Sequence, residues 1–127
     1  MGILGYATLA SVDGYVADAD GRFDWAMPSE EVHAAVNDLA RGVGTFLLGR
    51  RMYEVLVVWE TMDVSGQPPV IADFARIWRD ADKIVYSRTL AGESSARTRI
   101  ERRFDPEAVR ELKEEAERDL SIAGPTL

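Results

Sequence analysis

Short, strongly apolar runs recur along the chain and predict β-strands. Residues 3–11 are apolar at almost every position, which is typical of a strand buried on both faces at the centre of a sheet. Shorter apolar runs occupy residues 45–48, 83–87 and 120–123, and a loosely alternating segment covers residues 98–104. The pattern therefore predicts five strands.

Segments with apolar residues at helical spacing separate these strands. The first helix is predicted to start after Ser29 as N-cap, the second after Gly49, the third after the Pro-rich break at 66–69, and the fourth at Asp105, running to about Arg118. The stripe predicted to be buried on the fourth helix comprises Val109, Leu112, Ala116 and Leu120. Alternating strands and helices predict a three-layer α/β/α fold with a mostly parallel central sheet.

Composition and charge narrow the class of protein. The 127 residues, 46% of them apolar, predict one domain over residues 1–127 with its own core. Fifteen basic against 22 acidic residues give a net charge of −7, which argues against a nucleic-acid partner. We expect a cytoplasmic protein without a membrane partner, because no apolar run approaches the roughly 20 residues of a membrane helix and no signal-peptide pattern is present.

The absence of cysteine and the single histidine, His33, limit the chemistry further. They exclude thiol nucleophiles, disulfides and thiolate or multi-histidine metal sites, so no metal is predicted. Carboxylates, hydroxyls, guanidinium groups and the backbone remain.

Three strand ends carry residues suited to an anion. The segments are Gly49-Arg50-Arg51, Ser87-Arg88-Thr89 and Gly124-Pro125-Thr126. Each alone is also typical of a solvated helix start or turn, but ligands of open α/β sheets bind beyond the carboxyl ends of the strands. Their joint placement favours a phosphate-bearing nucleotide. Neither the Gly-x-Gly-x-x-Gly pattern nor the P-loop pattern occurs, so the nucleotide must be held in another way.

A second group of candidate residues lies before and at the start of the first helix. Glu30 is either a first-turn acid in solvent or a carboxylate that faces the cleft beside Trp25. Asp13 is expected to end the first strand, with a catalytic role as the alternative. His33 is predicted to be a surface or packing residue rather than one that binds a ligand. We predict Glu30 as the catalytic residue, with Trp25 and Asp13 binding substrate.

Five segments together match one known family in order and spacing. They are residues Ser11–Ala17, Phe23–Trp25, Leu47–Glu54, Lys83–Leu90 and Ala123–Leu127. The chain resembles the dihydrofolate-reductase-like superfamily over nearly its whole length, and most closely the reductase domain of the bifunctional deaminase-reductase of riboflavin biosynthesis. The resemblance implies NADPH-dependent reduction of a small heteroaromatic or imine-like substrate, such as a ribosylaminopyrimidine or a pterin.

The resemblance also implies roles for individual residues. The cofactor-binding residues would be Gly49, Arg50, Arg51, Ser87, Arg88, Ala123, Gly124 and Thr126. The first three would bind the pyrophosphate and 2′-phosphate, the next two the adenosine phosphate, and the last three the pyrophosphate. The pattern Trp-x-x-Pro-x-acid would place Glu30 at the position of the pterin-binding carboxylate.

The chain departs from the family pattern at three places. Met52 stands where a threonine is usual, Ala123 replaces the first of two paired glycines, and the family continues beyond Leu127 for several strands and a helix. We therefore expect residues 1–127 to be less than the complete catalytic unit, and a longer chain or a homodimer to be the stable form. A non-catalytic nucleotide-binding or dimer-forming module with the same fold is the alternative function.

Overall fold

A parallel β-sheet organises the part of the chain that the computed structural model describes, residues 2–6, 29–93 and 95–123. In chain order its strands are β1 (Leu4–Tyr6), β2 (Val43–Gly49), β3 (Asp82–Tyr86), β4 (Thr98–Glu101) and β5 (Asp119–Ala123). Across the sheet they lie in the order β1-β5-β2-β3-β4, and every neighbouring pair is parallel. The predicted five strands and parallel sheet are confirmed.

The same described ranges contain four α-helices, α1 (Glu30–Ala40), α2 (Arg50–Leu56), α3 (Pro69–Asp80) and α4 (Pro106–Glu115), with a 3-10 helix at Val57–Glu60 after α2. Both predicted N-caps are present. The Ser29 hydroxyl accepts from the Val32 N–H at 3.3 Å, and the Asp105 carboxylate accepts from the Glu107 N–H at 3.0 Å. None of the helices in these ranges is long and apolar enough to span a membrane.

The end of α4 differs from the prediction. The helix stops at Glu115, because Ala116 has an extended backbone with ψ of 136°. Val109, Leu112 and Ala116 pack together as predicted, but Leu120 belongs to β5. Leu120 reaches the same core from the sheet, so its helical spacing from Ala116 is a coincidence of sequence.

The two faces of the sheet carry separate cores, as a three-layer fold requires. The core on the face of α2 and α3 consists of Val43, Phe46, Leu48, Tyr53, Trp78, Ala81 and Val85. The core on the face of α4 consists of Leu47, Ile84, Val109 and Leu120. Neighbouring residues of β2 alternate between these cores, since successive side chains of a strand point to opposite faces. This alternation explains why both faces of the strand read as apolar.

The position of β1 corrects one prediction. The apolar run at residues 3–11 was expected to be a central strand, but in the described sheet Leu4–Tyr6 lies at the edge, and Tyr6 is 55% exposed. An apolar run predicts that a segment is buried, but it does not predict the position of that strand in the sheet. That position depends on which later strands pair with it.

A buried lysine caps the C-terminal end of α3 by binding its last carbonyl groups. Lys83 is 1% exposed, and its Nζ donates to the carbonyl oxygens of Trp78 at 3.0 Å and Ala81 at 2.9 Å. The ammonium also lies 4.8 Å from the centre of the Trp78 ring. Burial lowers the pKa of Lys83, an effect that the nearby negative charge of Glu60 opposes. The sequence pattern places Lys83 in a strand but does not reveal this cap.

Polar side chains join α1 to α3. Asn37 is fully buried, and its Nδ2 donates to the carbonyl oxygen of Val70 at 2.9 Å and to Asp73 at 3.2 Å. Arg41 donates to both carboxylate oxygens of Asp73, at 3.0 and 2.8 Å. The guanidinium of Arg41 holds the pKa of Asp73 below its ordinary value.

Replacing Gly44 should destabilise the sheet. The register between β2 and β5 shifts between Val43 and Thr45, and a Cβ built on Gly44 would lie 2.8 Å from Cβ of Arg118. Gly44→Ala is expected to lower the free energy of unfolding by about 1–3 kcal/mol, because the backbone must move to relieve the contact. Gly92→Ala is the control, since nothing lies within 4 Å of its Cβ position. Urea denaturation measures both, and equal stability of the two variants would contradict the packing argument.

Asp73→Asn should reduce stability in a pH-dependent way. A carboxylate whose pKa is lower in the folded state stabilises the fold above its unfolded pKa, and this stabilisation is lost as the pH falls through the folded value. The variant is therefore expected to have a lower urea midpoint than wild type at neutral pH and the same midpoint in strong acid. Asp38→Asn, which removes a more exposed partner of Arg41, should have a smaller effect at neutral pH. A deficit of Asp73→Asn that persists undiminished in acid would show that the charge is not its source.

Candidate functional site

The carboxyl ends of four strands, β2, β3, β4 and β5, lie at the same end of the sheet, which we call the carboxyl edge. Leu48 lies opposite Ala123, Gly49 lies opposite Tyr86, and Tyr86 lies opposite Glu101. The segments that follow β2 and β3 therefore start side by side, next to the end of β5. This arrangement brings together the candidate positions at residues 49–51, 87–88 and 123, as the sequence predicted from their place after strands.

Arg50 links the ends of β2 and β3. It is the first residue of α2, directly after Gly49 as N-cap. Its Nε donates to Glu54 Oε1 at 2.9 Å, one turn along the helix, and its Nη1 donates to Thr89 Oγ1 at 2.6 Å. Its side chain remains 45% exposed. Arg50 thus has a fixed orientation and still presents part of its guanidinium group to solvent at this edge.

Residues 87–90 form a turn that follows β3. The Ser87 hydroxyl oxygen accepts from the N–H groups of Thr89 at 3.3 Å and Leu90 at 3.0 Å. The Ser87 N–H in turn donates to the Glu101 carbonyl oxygen at 3.0 Å. Because its oxygen already accepts two hydrogen bonds within the turn, the Ser87 hydroxyl has only its O–H left to donate. The turn leaves Arg88 exposed.

Arg102 completes this turn and was not among the predicted residues. Its Nη1 donates to the carbonyl oxygens of Ser87 at 3.2 Å and Leu90 at 2.6 Å. Nothing in the local sequence distinguishes Arg102 from its neighbour Arg103. The parallel pairing of β3 with β4 is what brings it to the turn, so only the register could have revealed it.

The edge carries positive charge although the chain as a whole is acidic. Arg51 and Arg88 are exposed and form no ion pair with any residue of the described ranges. With Arg50 they make up what we call the carboxyl-edge arginines. Guanidinium groups offer paired N–H donors that match phosphate oxygens. In the described part of the chain, no three His, Asp or Glu side chains group as metal ligands would.

Two residues of the predicted site region have aromatic or apolar surroundings. Met52 is half-buried and packs against the core that contains Trp78, which accounts for an apolar side chain where the family usually has threonine. Tyr86 contacts Phe104 edge to face, with ring centres 5.0 Å apart. Burial raises the pKa of Tyr86, so its phenol stays protonated at neutral pH.

Of the residues predicted to act on the substrate, the structure describes only Glu30. Glu30 is the first residue of α1 and is exposed, which is compatible with both interpretations of its role. Asp13 and Trp25 lie outside the described residues, as do Gly124 and Thr126 on the cofactor side. Their roles remain predictions.

His33 packs against aromatic rings, as predicted. Its ring centre lies 6.0 Å from that of Trp59 and 5.8 Å from that of Phe74. These contacts attach α1 to the 3-10 helix and to α3. In the described structure, His33 thus helps to hold α1 in place.

Comparison with known proteins identifies the class of protein to which this fold belongs. A solved structure from Thermotoga maritima, a diaminohydroxyphosphoribosylaminopyrimidine deaminase/5-amino-6-(5-phosphoribosylamino)uracil reductase, matches with a TM-score of 0.60 at 14% identity. The match covers 98% of this chain and 39% of that chain. The domain therefore shares its α/β fold with the matching part of that protein.

The family follows from the sequence itself. The model of the RibD C-terminal domain matches residues 3–126, and the chain belongs to this family. A comparison with curated proteins found no match. Membership of this family agrees with the resemblance seen in the motifs.

Proposed function

We propose that this domain binds NADPH along the carboxyl edge of its sheet and reduces a small heteroaromatic or imine-like substrate of the ribosylaminopyrimidine or pterin type. Membership of the RibD C-terminal domain family supports a reductase of this kind. The name of the Thermotoga maritima protein includes a uracil reductase activity on a phosphoribosylamino compound, which agrees with the proposed substrate class.

The observation that carries the proposal is the alignment of strand ends with the carboxyl-edge arginines. Gly49 and Tyr86 are opposite each other in the sheet, so Arg50 and the turn at residues 87–90 begin at the same level. The contact between Arg50 and Thr89 fixes their relative position. A dinucleotide with several phosphates requires clustered cationic donors, and this edge provides them in a chain of net charge −7.

The residues of the edge would divide the binding of NADPH between them. Arg50 and Arg51 would bind phosphate oxygens from the start of α2, and Arg88 would do so from the turn after β3. The Ser87 hydroxyl would donate to the same ligand, since its oxygen is already used as an acceptor. Gly49, which has no side chain, and Ala123, which has only a methyl group, end adjacent strands and would let the ligand approach the backbone.

The hydride comes from NADPH when it is bound, and the protein contributes binding and orientation. Glu30 would accept hydrogen bonds from the substrate and orient it, and water would supply the proton to the developing amine. Glu30 is exposed at the start of α1, where its carboxylate oxygens are open to a ligand as acceptors.

NADPH should bind at least about tenfold more tightly than NADH, because the extra phosphate adds charge-assisted hydrogen bonds of about 1.5–3 kcal/mol each. Arg88→Gln should reduce this preference, and added salt should weaken it. Arg110→Gln is the control, because it removes an exposed arginine from α4, on the other face of the sheet. Fluorescence titration of each variant with both cofactors measures the effect, and equal affinity of wild type for NADPH and NADH would refute the assignment.

Glu30→Gln should impair substrate reduction far more than NADPH binding. The amide keeps the size of the side chain but loses the charged acceptor that we place on the substrate side. Glu31→Gln, the same change at the next residue, which is also exposed, is the control. Loss of NADPH absorbance with a panel of ribosylaminopyrimidines and pterins gives the rates. If Glu30→Gln changes kcat and KM by less than about twofold, Glu30 is only a first-turn helix acid. If wild type binds NADPH but no substrate of the panel oxidises the bound NADPH, a non-catalytic module is favoured.

A further inference from the structure

We infer that Arg102 is a positioning residue for the cofactor, one that holds the turn at residues 87–90 in the conformation that presents Arg88. This inference rests on the proposed function, since it assigns a reason for the turn to be fixed. Arg102 would support cofactor binding without touching the cofactor itself, unlike the predicted binding residues.

The contacts of Arg102 differ from those of the other arginines around β4. Arg97 pairs with Asp82 at 2.9 Å, and Arg99 lies 3.4 Å from Glu101. Arg102 forms no ion pair with the described residues, and its Nη1 donates to two main-chain oxygens instead. A charged donor committed to backbone carbonyls serves to fix the chain.

The two acceptors of Arg102 mark the ends of the turn. Ser87 is its first residue and Leu90 its last, and one guanidinium nitrogen reaches both carbonyl oxygens. Inside the turn, the Ser87 hydroxyl accepts from the N–H groups of Thr89 and Leu90. The internal bonds thus satisfy N–H groups, whereas Arg102 satisfies carbonyl groups, and the two sets of bonds are complementary.

The turn is therefore held from two neighbouring elements. Arg102, which follows β4, binds the first and last residues of the turn. Arg50, the first residue of α2, binds the side chain of Thr89 within the turn. Arg88 lies between these fixed points and is itself exposed. Fixing a turn before a ligand arrives reduces the conformational entropy that binding must overcome. Loss of Arg102 should accordingly weaken binding through the conformation of Arg88.

Arg102→Met tests the inference, with Arg103→Met as a charge-matched control one residue away. Arg103 is exposed and forms no ion pair with the described residues. In the free protein, we expect Arg102→Met to speed amide hydrogen exchange at Thr89 and Leu90 about tenfold and Arg103→Met to leave it unchanged. NADPH should bind at least about fivefold more weakly to Arg102→Met.

Salt separates positioning from simple charge loss. A purely electrostatic effect on affinity fades as ionic strength rises, whereas loss of a fixed turn persists. The affinity ratio between wild type and Arg102→Met should therefore remain at high salt, while the ratio for Arg103→Met should approach one. Arg102→Lys, which keeps the charge without the planar fork, should recover only part of the exchange protection.

The inference and the proposed function fail in different ways. If wild type binds NADPH and Arg102→Met binds it equally well at high salt, Arg102 does not position the cofactor and the proposed function stands. Unchanged exchange at Thr89 and Leu90 in Arg102→Met would overturn the inference in the same way. If wild type does not bind NADPH, the proposed function fails and the inferred role of Arg102 fails with it, whatever the exchange data show.

Discussion

The parallel pairing of β2 with β5 on one side and β3 on the other is the constraint on which the domain depends. Leu47 and Leu48 are both fully buried, on opposite faces, so β2 cannot shift by one residue without exchanging the two cores. The register therefore fixes where Gly49 ends the strand. The described candidate positions at residues 49–51, 87–88 and 123 are placed relative to that end.

Side-chain bonds to main-chain atoms then refine what the sheet positions. Arg102 binds carbonyl oxygens of one turn, Ser87 binds N–H groups of the same turn, and Lys83 binds carbonyl oxygens at the end of α3. These bonds act beside the apolar contacts that Trp78, Ala81 and Leu90 make with the core. Each of the three polar residues satisfies two backbone groups.

The local pattern predicted the elements well because strands and helices have different periods. The end of β2, the N-caps Ser29 and Asp105, and the placement of residues 49–51 and 87–88 after strands all follow from such patterns. The position of β1 at the edge does not, because it depends on where β5 enters the sheet. Arg102 was missed for a related reason, since its partners Ser87 and Leu90 lie 12–15 residues away across a strand pair.

Lys83 has a consequence for how unfolding can be followed. The chain contains only two lysines, Lys83 and Lys113, and Lys83 is 1% exposed with its amine bonded to two carbonyl oxygens. An amine-acylating reagent added to the folded protein can reach Lys113 on α4 but can react at Lys83 only after the core around Trp78 opens. The rate of acylation at that one residue, read by mass spectrometry of a single peptide, is therefore a chemical clock for opening of the core.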